Sequence, residues 1–181
     1  VSATDADADA AFTYTGDATG TYGAIAVDSA GAWTYTLSNT DADTDALAHD
    51  GSGTDTFTLT VSDGTSSDTM DVVITVSGAN DAPTVANALS ADSTDEDAPY
   101  TKDVSGMCTD VDSGDSLSYT LSGVGIPQMT LLPSGAMSST PDNDDVGAHT
   151  ITVTCTDDSG GSSGTTASDD FVLTVVNTDD A

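Results

Sequence analysis

Carboxylates are the side chains of this sequence whose number and spacing could do chemistry. The chain has 31 Asp and Glu residues against one Lys or Arg, which gives a formal net charge of −30. Glu96 is the one Glu, and the other acids are Asp. Ca²⁺ takes about six to eight oxygen ligands at flexible geometry, and such side chains supply them. Either divalent cations or high external salt must neutralise these charges if the chain folds compactly.

The same charge excludes two classes of partner. A field of this sign repels phosphate, so we expect no nucleic-acid partner and no binding to anionic lipid through a basic patch. No apolar run approaches the roughly 18 residues of a membrane span, which predicts no membrane insertion. No signal peptide precedes Val1, so we expect a soluble segment in which Val1 is not the native start.

The cysteines and histidines offer little catalytic chemistry. Cys108 and Cys155 share the inward parity of their strands, and each is followed by Thr and then Asp. A disulfide in an oxidising exterior is favoured, with two buried free thiols as the alternative. His49 and His149 fall in different halves without a recognisable nucleophile, so we expect neither a zinc site nor an enzyme.

Short runs of alternating apolar and polar residues supply the elements that must position the carboxylates. This period of two is typical of half-buried strands, and no helical period is sustained. Turn-forming sequences such as Asp63-Gly64 separate the runs. The clearest runs are residues 33–37, 57–61, 151–155 and 171–175. In the first run Trp33 alternates with Tyr35 and Leu37, which predicts that it packs in a core.

The two halves of the chain repeat one plan. Asp157 follows Asp63 by 94 residues, Asn177 follows Asn80 by 97, and Asp112 follows Asp7 by 105. A repeat of this length predicts two domains of immunoglobulin-like size, residues 1–80 and 81–181, with a short, stiff linker from Asn80 to Pro83. The predicted fold is all-β: two tandem antiparallel β-sandwiches of immunoglobulin-like size in an elongated arrangement.

Two stretches resemble known repeat families. Gly20-Thr-Tyr-Gly, Ala32-Trp33-Thr-Tyr-Thr-Leu and the run through Asp63-Gly64 to Asn80-Asp81-Ala-Pro83 resemble the VCBS repeat of bacterial adhesins. Asp110-Val-Asp112-Ser-Gly-Asp115 and Ile151-Thr-Val-Thr-Cys-Thr-Asp157 resemble the dystroglycan-type cadherin-like domain. The resemblances imply tandem repeats with an immunoglobulin/cadherin-like β-sandwich fold, calcium at domain junctions, and a role in adhesion, surface fibres or biofilm matrix.

The likeness to cadherin junctions also implies the calcium ligands. One complete site would combine residues from the linker and from three stretches of the second domain: Asn80, Asp81, Glu96, Asp110, Asp112 and Asp157. Half-sites would lie at Asp5, Asp7 and Asp63 in the first domain, and at Asn177, Asp179 and Asp180 before a following domain. Each position is also compatible with a solvated acidic loop.

The leading hypothesis is a non-catalytic, calcium-binding segment of an extracellular adhesin, surface fibre or matrix protein. Its partners would be neighbouring repeats or subunits of the same protein, with surface glycans as a further candidate, and its outward threonines could carry O-glycans. The alternative is a carbohydrate-binding or spacer module of a secreted polysaccharide-degrading enzyme. An acidic surface also fits a protein adapted to high salt, and dependence on salt rather than calcium would separate the two.

Overall fold

A computed structural model describes residues 1–4, 11–158 and 165–179. The chain divides into two compact units, Val1–Ala79 and Asn80–Ala181. This division falls one residue before the boundary expected from the repeat. Asn80, expected in the linker, is the first residue of the second unit.

In its described part, the first unit has two three-stranded sheets and a single helical turn. One sheet has the order β1-β5-β6 and the other the order β2-β3-β4. The long hairpin β5–β6 follows from the period-two pattern, because alternate residues such as Phe57 and Leu59 face the core while the intervening threonines are outside. The elements are β1 (Thr13–Thr15), β2 (Ala18–Thr19), β3 (Gly23–Val27), β4 (Trp33–Leu37), α1 (Ala42–Asp45), β5 (Ser52–Ser62) and β6 (Ser67–Ser77).

Among the described residues of the second unit, nine strands form three sheets. Their orders are β11-β14-β15-β8, β12-β13-β9 and β10-β7. A short 3₁₀ helix, Asn143–Asp145, precedes β14 and is capped by the Asp142 side chain. The strands are β7 (Thr84–Val85), β8 (Asp92–Asp95), β9 (Tyr100–Asp103), β10 (Cys108–Thr109), β11 (Ser118–Ser122), β12 (Thr130–Leu131), β13 (Ala136–Ser139), β14 (Gly147–Thr156) and β15 (Thr166–Val176).

Pairing in the second unit is antiparallel except at one edge. Strands β14 and β15 form a ten-pair hairpin, and β8 adds to the far side of β15 in parallel. Strand β9 pairs antiparallel with β13 in the facing sheet. The predicted all-β class is confirmed by this architecture.

The two cores differ in size. In the first unit four buried side chains form the central cluster: Ile25, Phe57, Leu59 and Val72. The second unit has a cluster of fourteen, which includes Ile151, Val153 and Leu173 at 0% exposure. The expectation that Trp33 fills the first core is wrong, because its side chain is 39% exposed on β4.

Candidate metal centre

Three carboxylates converge on the loop between β10 and β11. Asp110, Asp112 and Asp115 each bring a carboxylate oxygen within 4.8 Å of the others. The loop turns back at Gly114, whose φ of 100° lies in the left-handed region that favours glycine. Asp112 donates its backbone N–H to Asp110 Oδ1 at 3.0 Å, which holds the first two side chains on the same side of the loop.

Asp115 was not among the predicted ligands. The spacing Asp110-x-Asp112-x-x-Asp115 was visible in the sequence, and the intervening Gly114 was the signal that the chain could fold the third carboxylate back.

The start of the second unit lies against this loop. Asp112 Oδ2 accepts the backbone N–H of Asp81 at 2.7 Å. The Asn80 amide nitrogen donates to the Asp81 carbonyl at 2.7 Å and reaches Asp157 Oδ2 at 3.5 Å. Asp157 follows the end of β14 and is 6% exposed. Five of the six residues predicted for one site, all but Glu96, are therefore connected here.

The geometry leaves oxygen atoms suited to a cation. Asn80 Oδ1, Asp110 Oδ2 and Asp112 Oδ1 are buried and have no hydrogen-bond partner among the described residues. An acceptor buried without a donor costs about 1–3 kcal/mol, and more when it is charged. Asp112 is the most enclosed of the three, at 5% exposure.

The charges around Asp112 also favour a bound cation. Burial raises the pKa of its carboxyl, and the charges of Asp110, Asp81 and Asp157 add to the rise against the lowering effect of the Asp81 N–H. A group of mutually repelling carboxylates is the environment that a divalent cation relieves. The residues present therefore fit a calcium ion.

Glu96 does not belong to this group, which corrects the predicted ligand set. Its backbone N–H donates to the carbonyl of Val176 at the end of β15. Asp157 instead lies beside Thr165, just before β15 begins. Since a strand rises about 3.3 Å per residue, the eleven residues of β15 put Glu96 and Asp157 at opposite ends of the sheet.

Glu96 is instead joined to the predicted ligand Asn177. Glu96 Oε1 accepts the Thr178 N–H at 2.6 Å and the Asn177 amide at 2.8 Å. The Glu96 side chain is 3% exposed, and its Oε2 has no hydrogen-bond partner in the described part of the chain. Asp179 is exposed nearby in sequence, while Asp180 lies outside the described residues.

In the first unit the predicted half-site is described only at Asp63. Its Oδ1 accepts the N–H groups of Thr65 and Ser66, each at 2.7 Å, within the turn between β5 and β6. The other two residues of the predicted half-site, Asp5 and Asp7, lie outside the described residues.

The cysteines form a disulfide. Cys108 on β10 is bonded to Cys155 on β14, across 47 residues of sequence. Because β10 and β14 belong to different sheets, the bond links two sheets of the second unit. It also fixes the beginning of the Asp110 loop to the strand that ends just before Asp157.

Asp55 is a buried carboxylate of the first unit that was not among the predicted ligands. Asp55 on β5 is 3% exposed, and its Oδ1 accepts the Thr21 N–H at 2.7 Å while its Oδ2 accepts the Tyr35 hydroxyl at 2.9 Å. Burial raises the pKa of Asp55, but hydrogen bonds from Tyr35, Thr21, Tyr22 and Gly23 together hold it below the ordinary value. Burial and the hydrogen bond to Asp55 raise the pKa of Tyr35 to about 12. Asp55 therefore anchors the 20–23 turn.

Comparison with known proteins identifies the fold family. The model of the bacterial Ig domain, Big_9, matches residues 1–75 and 80–177. Human mucin-like protocadherin EC1-2 is 18% identical over 93% of this chain and 85% of its own, with a TM-score of 0.65. Mouse cadherin-23 EC22-24 is 18% identical over 93% of this chain and 53% of its own, with a TM-score of 0.60. At these identities the likeness shows the fold.

A further structural match is an endo-fucoidan hydrolase, MfFcnA4 of glycoside hydrolase family 107. It is 23% identical over 94% of this chain, with a TM-score of 0.43. The chain spans 24% of that hydrolase and 53% of the cadherin-23 fragment. No curated protein matches the chain. Among the described residues, no helix has the length and apolar character needed to cross a membrane.

Proposed function

The chain belongs to the bacterial Ig domain family, and from that premise we propose that it is a non-catalytic, calcium-binding segment of an extracellular adhesin or surface fibre. Domains of the bacterial Ig and cadherin-like folds are typically extracellular and non-catalytic. The observation that carries the proposal is the group Asn80, Asp110, Asp112, Asp115 and Asp157. Within the part of the chain that the structure describes, the buried Asn80 Oδ1, Asp110 Oδ2 and Asp112 Oδ1 have no hydrogen-bond donor.

Calcium would hold the start of the second unit, Asn80 and Asp81, in place. Asn80 and Asp81 are hydrogen-bonded to Asp157 and Asp112, so an ion shared by these side chains would fix the segment that enters the unit. Without the ion the same carboxylates repel one another, which weakens the attachment of Asn80 and Asp81 to Asp157 and Asp112. The role is therefore mechanical, consistent with a tandem module under tension.

A second cation position is proposed at the other end of the sheet. The Asn177 amide already donates a hydrogen bond to Glu96 Oε1, and the buried Glu96 Oε2 supplies a second oxygen. Asp179 would add a carboxylate. This position would be completed by residues of a neighbouring repeat or subunit, which is the partner class we propose. The narrower assignments, a VCBS repeat and a dystroglycan-type cadherin-like domain in a fibre or biofilm matrix, belong to the same proposal.

Calorimetric unfolding of the chain in calcium and in EDTA tests the metal site. An ion that binds the folded state raises stability by about 2.7 kcal/mol at a hundredfold excess over its Kd. The rise is expected to disappear in the Asp110→Asn/Asp112→Asn variant and to persist in Asp170→Asn, an exposed carboxylate on β15 of the same unit. Magnesium or molar NaCl in EDTA should not reproduce it. Equal stabilisation by NaCl would make the acids a surface adapted to salt and would end the calcium proposal.

A further inference from the structure

Four residues of the candidate metal centre lie at one end of a two-stranded ribbon. Strands β7 and β10 pair antiparallel, so the residues that precede β7 and those that follow β10 meet at the same end. This end carries Asn80 and Asp81 from the first strand, and Asp110 and Asp112 from the second. Asp112 Oδ2 accepts the Asp81 N–H at 2.7 Å, which joins the two stretches. We call the pair β7 and β10 the ribbon.

The other residues of the metal centre belong to the four-stranded sheet. Asp157 follows β14, and Asp115 precedes β11, which pairs with β14. Ser116 also donates its N–H to Asp158 Oδ1 at 2.8 Å, beyond the end of β14. Strand β14 has β11 on one side and β15 on the other, so both of its edges are paired and the ribbon lies in another layer. The metal centre therefore spans the ribbon and the four-stranded sheet.

The Cys108–Cys155 disulfide joins these two layers covalently. Cys108 is two residues before Asp110, and Cys155 is two residues before Asp157. An extended residue advances about 3.3 Å, so each acid is roughly 7 Å along the chain from its cysteine. Without the bond, the chain connects the two layers here only through the 47-residue span that the disulfide closes. The disulfide is therefore a short tether between the two groups of carboxylates.

Such a tether affects how strongly a cation binds. Asp112 is 5% exposed, and its Oδ1 has no hydrogen-bond partner among the described residues, so this carboxylate is desolvated before an ion arrives. With the disulfide in place, folding already holds the repelling carboxylates close together. Without it, the ribbon can move away from Asp157, and binding must restore the arrangement. A preorganised site binds more tightly because less ordering accompanies binding.

We propose that the Cys108–Cys155 disulfide positions the metal centre, so that the oxidised chain binds calcium more tightly than the reduced chain. This inference rests on the proposed calcium binding and adds its dependence on redox state. By linkage the effect is reciprocal, and calcium opposes reduction of the disulfide by the same free energy. In that reduction a dithiol supplies two electrons and two protons, the S–S bond breaks to two cysteine thiols, and the dithiol becomes a disulfide.

A general loss of stability could mimic this effect, and the chain offers a control for it. Leu173 is 0% exposed and pairs with His149, six residues before Cys155 on β14. This separation corresponds to roughly 20 Å along the strand. Leu173→Ala should therefore destabilise the same unit while it leaves the disulfide and the ribbon unchanged.

The variant without the disulfide is Cys108→Ala/Cys155→Ala, which places no polar group in the core. We expect it to fold, because other contacts still hold the ribbon against the four-stranded sheet. Leu89, which follows β7, donates its N–H to Asp169 Oδ2 on β15 at 2.6 Å. Circular dichroism in calcium and in EDTA checks that each variant is folded.

Calorimetric titration with calcium compares the native oxidised chain with both variants. Loss of the disulfide is expected to raise the calcium Kd by about tenfold or more, as for other groups that support metal ligands. Leu173→Ala should bind calcium as the native chain does. Equal affinities of the native and cysteine-free chains, or an equal loss in Leu173→Ala, would overturn the positioning role and leave the proposed calcium binding standing. No binding by the native chain would end the proposed function and this inference with it.

A second measurement uses the native disulfide and decides the question even if the cysteine-free variant does not fold. Reduction by dithiothreitol is followed in calcium and in EDTA by alkylation of the new thiols and mass spectrometry. Calcium is expected to slow reduction by about tenfold or more in the native chain and in Leu173→Ala, but not in Asp110→Asn/Asp112→Asn. Reduction in EDTA should be about equally fast in Leu173→Ala and the native chain, because the ribbon opens locally. Equal rates with and without calcium would overturn the proposal. Faster reduction of Leu173→Ala, in proportion to its lost stability, would overturn it too, since calcium would then act through global unfolding.

Discussion

The hairpins β5–β6 and β14–β15 carry the same alternation but lie in differently completed sheets. Strand β15 has partners on both sides, whereas β6 pairs only with β5 in the part of the chain that the structure describes. Phe57 pairs with Val72 as Ile151 pairs with Phe171, so Ile74 of β6 corresponds to Leu173 of β15. Leu173 is accordingly fully buried, and Ile74 is only partly buried. The comparison teaches that alternation decides which residues point inward, while the neighbouring strands decide whether the inward side is covered.

The units also use buried carboxylates differently. In the first, Asp55 is satisfied by backbone N–H groups and a hydroxyl, and its pKa is lowered. In the second, Asp112 faces other carboxylates and its pKa is raised. The first arrangement stabilises a turn by itself, whereas the second is the kind of arrangement that the proposed cation would stabilise.

Loss of the disulfide should produce the largest difference in stability between the two units. Closure of the 47-residue span between the cysteines corresponds to about 4 kcal/mol in the chain-entropy model. We expect Cys108→Ser/Cys155→Ser to destabilise the second unit by about that amount and to leave the Trp33-reported unfolding of the first unchanged. Denaturant titration followed by both circular dichroism and Trp33 fluorescence measures the two effects. An equal loss in the fluorescence signal would show that the units do not unfold separately.

Truncation at equivalent core positions gives the next largest contrast. Leu173→Ala removes a side chain at 0% exposure and should cost about 2–5 kcal/mol, because it leaves a cavity. Ile74→Ala removes a partly buried side chain on β6, which pairs with β5 alone among the described residues, so the cost should be smaller. The same paired titration measures both variants. Equal costs would mean that Ile74 is covered in solution.

Removal of the Asp55 charge should destabilise the first unit by about 1.5–3 kcal/mol, since charged hydrogen bonds are lost. The effect depends on pH in a defined direction. Because the folded pKa of Asp55 is lowered, its stabilisation is complete above the unfolded pKa of about 4 and is lost as the pH falls through the folded value. The difference between the native chain and Asp55→Asn, measured by Trp33 fluorescence, should therefore shrink in acid. Asp68→Asn, an exposed change on β6, should show no such trend.

The smallest effect is expected on the outer side of β6. Val73 is 61% exposed, so Val73→Thr should change stability by no more than about 0.5 kcal/mol. Thermal unfolding at two protein concentrations checks this. A larger loss that grows with concentration would show that the side chain is buried between copies of the chain.

Much of the candidate metal centre could be predicted from the loops. Asp110 and Asp112 follow β10, Asp157 follows β14, and loops that leave strand ends at one pole of a sandwich gather in space. Asn80 and Asp81 join them because the linker enters at that pole. Glu96 could not be placed in this way, since the sequence does not reveal that β8 pairs in parallel with the far end of β15. Parallel pairing between distant strands has no local signal.

The sequence by itself determined the all-β class, the repeated plan, the acidic surface and the inward parity of Cys108 and Cys155, because these follow from side-chain period and composition. Only the tertiary structure decided that Glu96 joins Asn177, that Asp115 folds back to Asp112, and that Trp33 is exposed. Each of these depends on which strands lie side by side. Strand neighbours are set by packing between residues far apart in the chain, and a local pattern carries no record of it.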